Sequence, residues 1–111
     1  MTTTALTEAE FERVADRELH ALEGALTDLE GLEVSLEMGI LTLEFTDGTK
    51  FVVNSHRAAR QIWMAAELRA WHFDYRAEDE RWFATKGGDE LWAAVGGAAS
   101  RKLGRLLPLA R

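Results

Sequence analysis

Asn54-Ser-His-Arg-Ala-Ala-Arg-Gln-Ile-Trp-Met-Ala-Ala-Glu-Leu-Arg-Ala-Trp71-His-Phe-Asp74 is the stretch on which the fold turns. Residues 56–70 are rich in helix formers, and Ala59, Ile62, Trp63 and Ala66 recur at helical spacing. By itself the segment reads as a helix with Trp63 in the core. The next residues, Trp71-His-Phe-Asp-Tyr75, alternate instead, with Trp71, Phe73 and Tyr75 on one face of a strand. Propensity is a weak prior, so the surroundings must decide.

Upstream, the pattern is plain. Thr7-Glu8-Ala9-Glu10 is a capping box, and Leu6 and Phe11 have the spacing of a hydrophobic staple. Phe11, Val14, Ala15, Leu22, Ala25, Leu26 and Leu29 then mark a helix from Glu8 to about Asp28, stopped by Gly31. Glu18 is a charged blemish on that apolar stripe. Leu32, Val34 and Leu36 alternate with Glu33, Ser35 and Glu37, and Leu41, Leu43 and Phe45 repeat the pattern after Gly39. Asp47-Gly48 is a hairpin signal, and Lys50–Asn54 is the returning strand. Downstream, Glu78-Asp79-Glu80 is a turn and Arg81–Thr85 a short strand. Asp89 is the expected cap of a second helix carrying Leu91, Val95, Ala98, Ala99 and Leu103. Pro108 lies outside every strand. Helix, strands, helix predicts an α+β sandwich with both helices on one face of an antiparallel sheet.

The 111 residues make one domain, with its core over about 7–103 and a basic tail at 104–111. Cysteine is absent, which removes disulfides, thiolate ligands and a cysteine nucleophile. No apolar run approaches the ~20 residues that span a bilayer, and Met1–Thr7 lacks the regions of a signal peptide. A cytoplasmic protein with no membrane contact is expected. The net charge of −6 disfavours non-specific nucleic-acid binding. Residues 1–37 hold ten acids against two bases, whereas residues 99–111 hold Arg101, Lys102, Arg105 and Arg111 and no acid. The ordinary reading of that tail is solubility and a favourable helix C-terminus.

Together, the order of elements, the acidic first helix and the run Asn54…Gln61-Ile62-Trp63-Met64, followed by Trp71-His72-Phe73-Asp74, resemble the frataxin family in its bacterial CyaY branch. Glu10-Phe11, Ala15-Asp16, Gly39-Ile40-Leu41-Thr42 and Trp82 also match, and the likeness covers about residues 7–103. His56 stands where the family has glutamine, and Ala58 where it has proline. The resemblance implies two helices on one face of an antiparallel sheet. It makes Gln61–Ala66 a strand after a short turn through Arg57–Arg60. Ile62 and Met64 then face the core, and Gln61 and Trp63 face outward. It further implies that the open sheet face, here Asn54, His56, Gln61, Trp63 and His72, meets the iron–sulfur assembly machinery.

Glu8, Glu12, Asp16 and His20 follow i, i+4 spacing, with Glu23 beside His20, and Asp28, Glu30 and Glu33 extend the acidic zone. The bland reading is a solvated face; like charges at this spacing cost a few tenths of a kcal/mol per pair. The resemblance implies instead a ridge that binds iron and docks on a basic partner. Exposed carboxylates are hard ligands suited to iron, and His20 adds a nitrogen donor. Arg17, Gly24, Thr27 and Gly31 stand where the family commonly has acids, so weak iron binding is expected.

The leading expectation is a non-enzymatic iron-binding accessory of iron–sulfur cluster assembly. It docks its ridge on a cysteine desulfurase and delivers iron toward the scaffold protein. A monomer is expected, with self-association driven by iron. The second reading is a small enzyme: His20, His56 and His72 are candidate bases, yet no nucleophile elbow, H-E-x-x-H or phosphate loop occurs, which leaves only weak ferroxidase chemistry. The third is a metal-independent interaction module using the Trp63 face.

Overall fold

The computed structural model describes residues 6–107, 109 and 111. Met1–Ala5 and Pro108, on which the leader and proline readings rest, lie outside them. Helix α1 spans Glu8–Leu26, two residues shorter than expected because Thr27 caps it. Its capping box is formed: Thr7 Oγ1 accepts from the Glu10 N–H at 3.1 Å, and Glu10 Oε1 accepts from the Thr7 N–H at 2.9 Å. The six strands are β1 Leu32–Glu37, β2 Ile40–Phe45, β3 Lys50–His56, β4 Gln61–Ala66, β5 Arg69–Arg76 and β6 Arg81–Ala84. They pair antiparallel in chain order. Helix α2 spans Leu91–Leu103. Glu90, not Asp89, is its cap: the Glu90 carboxylate accepts from the Trp92 and Ala93 N–H groups, while the Asp89 carbonyl accepts from the Ala84 N–H.

Residues 61–66 form a central strand despite their propensity. Ile62, Met64 and Ala66 alternate inward, and pairing with β3 and β5 satisfies both backbone edges. The preceding segment is a 3-10 turn, Arg57–Ala59, closed by a left-handed Arg60. Arg60 donates to the Arg57 and Leu6 carbonyls, tying the turn to the entry of α1.

Both helices cover one face. α1 lies over β1 and β3 and α2 over β6. The core joins Phe11, Leu19, Leu22 and Leu26 of α1 to Leu41, Val53, Ile62, Phe73 and Trp82 of the sheet and to Leu91, Val95 and Ala98 of α2. Leu19, Trp92 and Ala94 belong to this core although the helical stripes did not single them out. Glu18 is buried as well, at 2% exposure. Its carboxylate accepts from Trp92 Nε1 and meets Arg111 Nε at 3.3 Å, so the blemish is a buried polar junction between α1, α2 and the C-terminal segment. That segment seats Leu107 in the core and packs Leu109 beside Gly96, where an added Cβ would stand 3.4 Å from Leu109 Cβ.

Candidate functional site

Among the described residues, no helix covers the opposite sheet face. The register decides what meets there. His56 pairs with Gln61, Asn54 with Trp63, Trp63 with His72, and Gln61 with Asp74. All five face residues expected from the sequence, Asn54, His56, Gln61, Trp63 and His72, therefore lie together. Trp63 is not a free indole, however. It stands half-buried between two imidazoles: its ring centroid is 3.7 Å from His56 and 4.3 Å from His72, both at 12°. Its Nε1 donates to Gln61 Oε1 at 2.8 Å, and Gln61 Nε2 donates to Asp74 Oδ1 at 2.9 Å. Three stacked rings and this amide relay hold the indole upright. His56 Nδ1 is buried without a hydrogen-bond partner among the described residues. Ile40, 47% exposed, extends the patch across β2, because it pairs with Asn54.

Along α1, Glu8, Glu12, Asp16 and His20 are exposed and Glu23 is half-buried. Asp28, Glu30 and Glu33 are exposed beyond the helix. Two pairings interrupt the expected row of unpaired acids. Arg57, from the turn after β3, meets Glu12 at 3.2 Å. His20 Nδ1 lies 2.9 Å from the Asp16 carbonyl oxygen and 3.4 Å from its carboxylate. That carbonyl, then the nearby Asp16 charge, raises the His20 pKa above its ordinary value. Arg13 and Arg17 share the groove beside Glu12 and Asp16, so this zone is of mixed charge. No group of three or more His, Asp or Glu side chains is arranged to hold a metal ion among the described residues. The donors suit a hard cation in type, but they do not form a preformed centre.

The basic tail is engaged internally rather than free. Arg101 grips Glu67 at 2.6 and 2.7 Å, Lys102 meets Asp47 at 2.5 Å, Arg105 donates to the Glu30 carbonyl, and Arg111 reaches Glu18 and the Glu80 carbonyl. Among the described residues, no helix is long and apolar enough to cross a membrane.

A family profile described as a Frataxin-like domain matches residues 4–105. The iron–sulfur cluster assembly protein CyaY of Cupriavidus taiwanensis is 37% identical over 108 residues, covering 92% of this chain and 95% of that one. The frataxin of Psychromonas ingrahamii superposes with a TM-score of 0.86 at 22% identity, over 96% of this chain and 100% of that one. A trimeric yeast frataxin complexed with ferrous iron superposes at 0.64 and 22% identity, over 94% and 92%. The two-helix cover, the six-stranded meander and the sequence match agree, and the chain belongs to the frataxin family, in its bacterial CyaY branch.

Proposed function

We propose that this protein is a non-enzymatic cytoplasmic accessory of iron–sulfur cluster assembly. It docks on a cysteine desulfurase through the exposed acids of α1 and meets the scaffold protein through the Trp63 face. The observation that carries the reading is the held-upright indole on the sheet face away from the helices, flanked by Asn54, His56, Gln61 and His72. Fixed aromatic anchors with surrounding polar groups are the usual core of a docking site. Kinship with proteins named for cluster assembly supports the pathway.

Iron, in this reading, is weakly held cargo at Glu8, Glu12, Asp16, His20, Glu23, Asp28, Glu30 and Glu33. Scattered exposed carboxylates without a convergent set bind hard cations loosely and with little selectivity. The ferrous complex of the yeast trimer supports iron as the cation. Sulfur does not pass through the protein covalently, because the chain has no cysteine.

The test is titration calorimetry against a cysteine desulfurase at 50 and 300 mM salt. Exposed charge pairs are screened over about 10 Å at 0.1 M salt, so affinity is expected to fall as salt rises. Glu12→Gln, Asp16→Asn and Asp28→Asn together reduce it at low salt. Trp63→Ala reduces capture of the scaffold protein while leaving the desulfurase affinity within twofold. An affinity indifferent to both salt and the acidic substitutions refutes the docking model.

A further inference from the structure

The β4–β5 turn consists of Glu67 and Leu68, both left-handed, at φ +54° and +60°. Two-residue hairpin turns of this hand favour Asn-Gly, because a side chain with a Cβ adopts the conformation only at a cost. Glu67 is held there by the two-pronged contact with Arg101. Leu68 is fully exposed, at 108%, and no side chain among the described residues covers it. Backbone strain around a large apolar side chain that touches nothing inside the fold points to a contact outside it.

An open cleft of about 580 Å³ lies beside this tip. Phe51, Ala65 and Ala66 form apolar parts of its lining, and Lys50, Arg69, Arg101 and Lys102 line it against a single acid, Glu67. Arg101 and Lys102 are committed to Glu67 and Asp47. Lys50 and Arg69 have no ion-pair partner among the described residues. The Arg69 guanidinium is fixed 4.2 Å over the Trp71 ring. This cationic cleft lies on a chain of net charge −6. It is at the far end of the sheet from the acidic start of α1: β3 begins at Lys50 and ends at His56, next to the Arg57 that pairs with Glu12. Met38 is also left-handed and fully exposed, at the β1–β2 tip, but it borders the groove of mixed charge.

We infer that the Leu68 tip and its cleft dock an acidic segment of a partner protein. An apolar side chain of that segment packs on Leu68, and its carboxylates meet Lys50 and Arg69. Glu44 stands opposite Lys50 in the β2–β3 register, but Lys50 and Arg69 form no close ion pair among the described residues, so an apolar anchor beside them favours an acidic, leucine-bearing peptide over a basic or wholly polar one. The cleft shares no residue with the α1 acids or with the Asn54, His56, Gln61, Trp63 and His72 cluster, although Ala65 lies on the same face of β4 as Trp63.

The probe is the blocked peptide acetyl-Glu-Glu-Leu-Glu-Leu-Glu-amide, titrated into the full chain labelled with nitrogen-15, with the all-glutamine version as control. Expected amide shifts are confined to residues 49–51, 65–69 and 101–102. The glutamine peptide is expected to bind at least tenfold more weakly. Leu68→Gly relieves the left-handed turn, so the melting temperature rises while peptide affinity falls at least tenfold. Lys50→Glu with Arg69→Glu gives the same loss of affinity. A fall in melting temperature for Leu68→Gly overturns the inference, because Leu68 then serves the fold. Equal binding of the two peptides, or shifts elsewhere, also overturns it. A concentration-dependent dimer in sedimentation that Leu68→Gly abolishes replaces the partner segment with a second copy of the chain.

Discussion

Replacing Arg111 with glutamine strips the guanidinium from a carboxylate that is 2% exposed between the two helices. The Glu18 charge would keep one strong partner, the Trp92 N–H. Breaking a fully buried pair from one side costs about 3–5 kcal/mol. The Arg111 side chain is 24% exposed, so water reaches the guanidinium side of this pair. A loss of about 2–3 kcal/mol is therefore expected, or a fall of roughly 8–12 °C in melting temperature for a domain of this size. Glu18→Gln removes the charge but keeps an oxygen to accept from Trp92, and should cost only about 1 kcal/mol. The double variant should cost about 1–2 kcal/mol less than the sum, since the two side chains share one interaction. Urea unfolding of the four proteins at neutral pH closes the cycle. A cost for Arg111→Gln below about 0.5 kcal/mol, or strict additivity, would refute the buried-pair reasoning.

Gly31 has φ +94°, and a Cβ there would stand 2.7 Å from Leu103 Cδ2. Gly31→Ala is expected to cost about 1–3 kcal/mol by urea unfolding, through both backbone strain and overpacking. Gly24→Ala, in the exposed last turn of α1 with nothing within 4 Å, should stabilise by about 0.5 kcal/mol in the same assay. Lys102, with the Thr49 amide, holds the Asp47 carboxyl well below the usual carboxylate range. A depressed folded pKa gives stability that is complete above the unfolded value, about 3.9, and is lost as pH falls toward the folded one. Asp47→Asn should therefore lower the melting temperature at pH 6, and that difference should shrink steadily as the pH falls below about 4.

Most strands were legible because one face of the sheet is buried and the other is not. Leu41, Leu43 and Phe45 had to alternate with Thr42 and Glu44, and they do. Gln61–Ala66 was legible only through its family likeness, because cross-strand pairing, which a propensity scale does not contain, outweighs the alanines there. Glu18 was visible as an anomaly, but its partners lie 74 and 93 positions away and nothing local names them. Asp89 and Glu90 are both acidic neighbours of one helix start, and only the backbone path chooses between them. Alternation places Asn54, His56, Gln61, Trp63 and His72 on one sheet face, but the stacking of His56 and His72 on Trp63 is not written in it. It depends on a register joining three strands and on rotamers set by neighbours. The Arg57 contact with Glu12 was hidden for the same reason, since it joins the sheet end to α1.

The strand order β1-β2-β3-β4-β5-β6 also bears on how the molecule assembles. Each strand joins the one made just before it, across connections of only two to four residues. Ring-closure entropy is therefore small at every step, and no crossover must wait for a distant partner. The sheet can zip progressively as the chain leaves the ribosome. Trp82 and Phe73, however, remain without their full cover until residue 91 and beyond arrive as α2. The interval before that last helix docks is when a nascent chain of this kind is most exposed to aggregation and has most use for a chaperone.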